Sequence, residues 1–290
     1  MQLKTLEFSS MSRPSIWAQA WSNFWRSWSR QALPNKRYVG EDHLGNRFYE
    51  FAGRHRSSNV KRILPARFTQ AQVGDMFVVR NSGNMIPLAE TYGVSGYEIS
   101  ITTEPAALEM AVKRGKIEHV IVCGHSDCKA INTLYNLHCC PSDFDPQSPM
   151  DHWLRKHGFR SVSKLVGMQE AEKKGDELAA RRLEFVSENP LLLHFFATID
   201  PDNKFGAEDR LSQINTLQQL SHIASHGFLQ EYLAEQRVHL HALWFDVYKG
   251  DMHMFSRERE RFILIDETTV GELEREVRSG YEKSKMALTA

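Results

Sequence analysis

One stretch limits the chain more than any other. Residues 117–138 read IEHVIVCGHSDCKAINTLYNLH. The first part is apolar without alternation, as expected of a strand buried on both faces of a sheet. It stops at Gly124, and SDCKAINTLYNLH then has the composition of a helix. A buried strand running through a glycine into a helix is the unit of a parallel sheet with helices on its faces. In such sheets ligands bind beyond the carboxyl ends of the strands. That is where His125 and Cys128 stand, three residues apart on the first helical turn.

The same unit occurs just upstream. GDMFVVRNSGN predicts a short buried strand at Met76–Val79 and a turn at NSGN. TTEPAALEMAVKRG predicts a helix with Thr103 able to cap, Pro105 in the first turn and Gly115 at the end. Residues 150–189 are charged and predict helix, broken at Gly175 and Pro190. In EDRLSQINTLQQLSHIASHG, Leu211, Ile214, Leu217, Leu220 and Ile223 recur every three residues, predicting a helix with Gly227 as its C-cap. VHLHALWFDVYKGDMHMFS alternates around a Lys-Gly-Asp turn and predicts a hairpin at one edge of the sheet. The expected fold is α/β: a central, mostly parallel sheet flanked by helices, with an antiparallel edge hairpin and an N-terminal helical arm. Residues 1–40 form the arm and 41–290 the main domain.

Composition narrows the partners. Lys+Arg and Asp+Glu are both 36, so nothing asks for nucleic acid or an anionic surface. No run of 18 apolar residues exists, so no membrane span is expected. Four cysteines in 290 residues do not make a disulfide framework, and a reducing compartment follows. The vicinal pair Cys139-Cys140 reads as two separate thiols.

The arm is unusual. Residues 9–37 hold five basic residues, many serines and no Asp or Glu. Trp17, Trp21, Phe24, Trp25 and Trp28 repeat at helical spacing as one aromatic stripe. Acid-poor, Arg- and Ser-containing amphipathic helices direct proteins to mitochondria. A helix docking its Trp face on a partner subunit is the other reading, since a large apolar patch marks an interface.

His and Cys at i, i+3 point the same way, and both are donors suited to Zn²⁺. A catalytic zinc takes three protein ligands and keeps one position for water, whose pKa it lowers to about 7. The third ligand should therefore follow a neighbouring strand.

RILPARFTQAQVGDMFVVRNSGN, EPAALE, HVIVCGHSDCKA, IDPDNKFGAEDRLSQINTLQQL and HALWFDVYKGD together resemble the animal branch of the β-class carbonic anhydrases. The resemblance runs from about Arg62 into the 270s. It implies a zinc lyase interconverting CO₂ and bicarbonate, assembled as a homodimer or higher. It implies His125 and Cys128 as zinc ligands and places Asn84 on the approach to the site, although RNSGN also reads as plain turn chemistry. The family's other motif, C-x-D-x-R before Leu-Pro, supplies a second zinc thiolate, an Asp that orients the zinc-bound water, and an Arg that holds the Asp. Counted back from Leu64-Pro65, Arg62 falls on that Arg, but the Asp position holds Val60 and the Cys position Ser58.

A hydroxyl is a poor zinc ligand at neutral pH, and a Val side chain accepts no hydrogen bond. His55 is the other donor nearby, about 10 Å from position 58 along an extended chain. Between Glu50 and Asp75 there is no carboxylate. The family's buried central strand is replaced by NRFYEFAGRHRSSNVK, whose Arg54, His55, Arg56 and Lys61 are costly to bury unpaired. Two readings stay open: a zinc enzyme acting on CO₂, and a catalytically inactive relative or isoform acting through its dimer surface. Nicotinamide chemistry lacks a G-x-G-x-x-G after any strand, and a zinc deaminase lacks its H-x-E and P-C-x-x-C pair. A Cys–His hydrolase would carry its two groups on separate elements.

Overall fold

The structure, a computed structural model, describes residues 37–41, 47–50, 75–89, 103–175 and 182–288, with backbone only at 37–41, 47–50 and 280–288. The chain divides into two compact units, Met1–Val78 and Val79–Ala290. In the first, β1 (Arg37–Glu41) and β2 (Arg47–Glu50) pair antiparallel, and β1 runs through residue 40. The Trp stripe, His55, Ser58, Val60 and Arg62 lie outside the described residues.

The second unit is built on a four-stranded sheet in the order β3-β6-β7-β8: His119–His125, His239–Asp246, Asp251–Ser256 and Arg261–Leu264. β3 and β6 are parallel, while β6–β7 and β7–β8 are antiparallel, the expected hairpin being β6–β7. Among the described strands the parallel part is thus a single pair. β4 (Arg182–Val186) and β5 (His194–Thr198) form a separate antiparallel ribbon. The helices are α1 (Glu104–Glu109, continuing as a π turn over Met110–Arg114), α2 (Lys129–Cys139), α3 (Pro149–Lys174), α4 (Ala207–Ala224), α5 (Gly227–Ala234) and α6 (Val270–Leu288). Among the described residues no helix is long and apolar enough to cross a membrane.

Helix α4 is the centre of the unit. It packs on β3 and β6, with α2 and α3 against it. Every residue from Leu211 to Ala224 is buried, polar ones included. The leucine stripe meets Val122, Ala242 and Phe185 in one apolar core. The remaining faces carry Asn, Gln, Ser, Thr and His, which bond to other segments' backbones. Ile86 N–H donates to Gln219 Oε1 at 2.8 Å, Asn215 Nδ2 donates to Gly83 O at 2.8 Å, and Ala89 N–H donates to Ser225 Oγ at 3.0 Å. His222 Nδ1–H donates to Ile86 O at 2.9 Å and His226 Nε2–H to Pro87 O at 3.0 Å. Asn81 serves the amides of Asn84 and Met85, and the side chains of α4 and the turn after it serve the backbone groups of Gly83, Ile86, Pro87 and Ala89, which no strand pairs. The two buried histidines, His222 and His226, hold the loop by its carbonyls.

Several expectations are corrected. Residues 76–81 carry no regular structure, and Phe77, Val78 and Val79 are 49%, 49% and 51% exposed. A strand needs a neighbour for its amides, and none of the described strands pairs with this stretch. β3 is not buried on both faces: Ile121 is 37% exposed, and among the described residues β3 pairs only with β6. Residues 182–186, read as helix, form β4, where Leu183 and Phe185 alternate with exposed Arg182 and Val186. Phe185 stacks on Phe195 at 5.2 Å, a cross-strand pair that outweighs the charge-rich context. Gly227 does not cap α4, which ends at Ser225; it opens α5. Thr103 makes no side-chain cap bond. Gly175 ends α3 as expected, in the left-handed region at φ 75.

Candidate metal and active site

Gly124 brings the site together. A Cβ there would lie 1.9 Å from Thr216 Oγ1 and 3.2 Å from Trp244 Cδ1. Only glycine lets the carboxyl end of β3 come this close to α4. The chain then turns out of the sheet at Ser126 and Asp127. Ser126 is fully buried: its N–H donates to Phe245 O at 2.9 Å, and its Oγ accepts from Val247 N–H at 2.8 Å. Asp127 takes a left-handed φ of 50, and its N–H donates to Asp209 Oδ1 at 2.8 Å. Ser212 Oγ donates to His125 O at 2.6 Å and accepts from Trp244 Nε1–H at 3.1 Å. The His-Ser-Asp-Cys turn is therefore fixed from both β6 and α4.

His125 and Cys128 face each other across this turn. His125 Nδ1–H donates to Ser126 O at 2.8 Å. That bond holds a proton on Nδ1 and leaves Nε2 as the nitrogen available to a metal, as an orienting partner does for a metal-ligating His. Burial alone pushes the imidazole's pKa down, but the hydrogen bond and charge of Cys128, with Ser126 and Asp127, outweigh it and raise the pKa. Cys128 occupies the N-cap position of α2. Burial pushes its thiol up; the His125 hydrogen bond and charge and the N–H groups of Ile131 and Ala130 bring it below the ordinary value. A helix N-terminus and an imidazolium both favour thiolate. The two shifts run toward each other, each side chain favouring the charged form of its neighbour, and imidazole nitrogen and thiolate sulfur are both donors for a borderline divalent ion.

The remaining cysteines stand elsewhere. Cys139 and Cys140 are exposed at the far end of α2, about 17 Å along the helix from Cys128. Burial pushes Cys123 up to about 12, a protonated thiol. Among the described residues no three His, Cys, Asp or Glu side chains converge on one point. The donor set thus fits zinc in kind but not in number: two ligands, where a catalytic centre takes three.

Asn84 lies in the 3-10 turn Ser82–Asn84, with φ 47 after Gly83 at φ 79. Gly83 packs on Ile131 in the first turn of α2, which places the turn beside the pair. Asn84 Oδ1 is buried with no hydrogen-bond partner. Ser126, Asp209, Ser212, Trp244 and Asp246 were not legible in the sequence, because the contacts that tie them into the turn span about 80 to 120 residues of chain. One local signal existed: Leu211–Gln230 contains no Asp, Glu, Lys or Arg, which marks an enclosed helix.

The comparisons with known proteins agree with this geometry. The carbonic anhydrase family matches residues 61–252, beginning one residue before Arg62. The chain is 56% identical over 220 residues to Beta carbonic anhydrase 1 of Caenorhabditis elegans, covering 76% of this chain and 78% of that protein. It is 56% identical over 216 residues to Beta carbonic anhydrase 1 of Caenorhabditis briggsae, covering 74% and 77%. Among solved structures, the β-carbonic anhydrase CcaA superposes with a TM-score of 0.50 at 22% identity, over 70% of this chain and 73% of that one, a likeness of fold. The Gly-His-x-x-Cys turn at the end of a parallel strand, the family match and the nematode relatives agree: this chain belongs to the β-carbonic anhydrase family.

Proposed function

We propose that this chain is a zinc-binding carbonic anhydrase whose centre is reduced to His125 and Cys128, so that it hydrates CO₂ to bicarbonate only weakly. The observation that carries this is the facing His125–Cys128 pair, with His125 oriented by Ser126 O and Cys128 at the N-cap of α2, and without a third donor among the described residues. The sequence has no cysteine before Cys123, and Ser58 and Val60 stand where the family places Cys and Asp. Zinc, where held, supplies an acidified water. The protein's own residues orient the two ligands, and Ser126, Ser212 and Asp209 keep the turn rigid. Asn84 lines the approach with an open acceptor, and Arg62 is the surviving half of the Asp–Arg pair. Elemental analysis beside a CO₂ hydration assay tests the reading. Partial zinc and weak hydration are expected, and one chelator-resistant zinc per chain with full activity would overturn it.

The second reading, a catalytically inactive relative acting through its dimer surface, draws on the same two absent groups. The homodimer is expected from the aromatic stripe at Trp17, Trp21, Trp25 and Trp28. The acid-free basic arm supports delivery to mitochondria. Residues 1–40 fused to a fluorescent reporter check this, and a diffuse cytosolic signal would favour the docking role for the arm.

A further inference from the structure

We propose that His119, His239 and His241 form a second metal site, for a borderline divalent transition ion, at the end of the sheet opposite His125. It rests on nothing assigned to the His125–Cys128 pair. His119 and His125 are the two ends of β3, about 20 Å apart.

The sheet register builds the cluster. His119 lies opposite His239 across the parallel β3–β6 pair, so both side chains leave the same face. His241 follows His239 by two residues on β6 and shares that face. The ring centroids of His119 and His239 are 5.4 Å apart, those of His119 and His241 5.2 Å, and those of His239 and His241 6.5 Å. A metal–nitrogen bond of about 2.0–2.1 Å puts each ring centroid about 3.2 Å from the ion, so two rings at the tetrahedral angle stand about 5.2 Å apart. Two of the three separations match. His119 Nδ1 and His241 Nε2 are already 3.0 Å apart, close to the separation of two nitrogens on one ion. The third pair is wider by about 1 Å on the same geometry. As the rings stand, no group of three His, Cys, Asp or Glu side chains among the described residues could hold a metal ion; the site requires the ring of His239 to swing inward.

The protonation states suit a ligand role, since a metal takes neutral imidazole. Burial, with the neighbouring His239, holds His119 down to about 4. Burial lowers His239, with Glu118 opposing and Arg257 assisting. Burial pushes His241 well below the usual value, helped by His119, Arg257 and His239. Among the described residues, charged groups that bear on the cluster are Glu118 before β3, Arg257 after β7 and Glu276 of α6. Glu276 accepts from Arg257 N–H at 2.7 Å and offsets that cation. An all-imidazole set beside a guanidinium excludes Mg²⁺ and Ca²⁺, which need oxygen ligands, and favours Zn²⁺, Ni²⁺, Co²⁺ or Cu²⁺.

Co²⁺ titration of the metal-stripped full chain tests this. In Cys128→Ser, one equivalent should bind with d–d bands and no thiolate-to-metal charge-transfer band. His241→Gln or His119→Gln in that background should weaken binding by more than roughly tenfold, since even an outer-shell partner costs about that much. Folding is checked by circular dichroism. In the unsubstituted chain, Co²⁺ should protect His119, His239 and His241 from diethyl pyrocarbonate, read by peptide mass. No Co²⁺ bound in Cys128→Ser, binding indifferent to both His substitutions, or no protection of the three rings would each overturn the proposal and leave His119 and His241 as a hydrogen-bonded pair.

Discussion

Gly124 lies so close beneath Thr216 that a Cβ on it would fall 1.9 Å from Thr216 Oγ1. Thr216 cannot simply turn away, because its hydroxyl donates to Ser212 O at 2.8 Å inside a buried helix. Gly124→Ala should therefore cost about 1–3 kcal/mol as an overpacking change. Thr216→Ala removes the clashing oxygen, so the double variant should recover part of the loss although each single change destabilises. Urea unfolding of the four proteins measures the coupling, and simple additivity would show that the contact does not set the strand's approach.

Ser58→Cys with Val60→Asp should raise zinc content and CO₂ hydration more than either change alone. The thiolate completes a Cys₂His set. The carboxylate, paired with Arg62 as the family resemblance implies, would orient the water that a bound zinc supplies. Groups that act as a unit are non-additive. Stopped-flow hydration with metal analysis reads both effects. Zinc bound without activity would mean that the segment before Arg62 misplaces the carboxylate.

Acid should destabilise the second unit between about pH 6.5 and pH 4. His222 and His157, 3% and 6% exposed, are each held down to about 4, first by burial. With folded values below the unfolded one near 6.5, the unfolded chain binds more protons in this window, so stability falls as pH falls through it. Each contributes at most on the order of 3 kcal/mol across the window. His222→Gln should flatten the stability–pH curve there, and an unchanged slope would count against the buried neutral ring.

Gln219→Ala should destabilise by about 1–3 kcal/mol, because it leaves the buried Ile86 N–H without its acceptor at 2.8 Å. Hydrogen exchange at residues 83–89 should speed up more than in β6 or β7. Uniform acceleration would show that the loop is not held separately by α4.

The chemistry of the turn and the local elements around it were legible in the residue pattern. An apolar run ending in Gly-His-Ser-Asp-Cys gives the strand, its close approach and the two donors, since these depend on residues within a few positions of one another. The β6–β7 hairpin, α2, α3 and the family were legible for the same reason. What surrounds each element was decided only by the tertiary structure. The three-residue leucine spacing of α4 reads as one apolar stripe, yet the helix is enclosed on every side. Its Asn215, Gln219 and His222 complete the hydrogen bonds of residues more than 130 positions upstream. The strand expected at Met76–Val79 has the right composition but no described neighbour, and a strand's stability lies in its pairing rather than its residues. His119 and His241 stand 122 positions apart and meet only because β3 and β6 lie side by side in one register. Contacts of that kind cost loop-closure entropy that local pattern does not record, so they become visible only once the chain is folded.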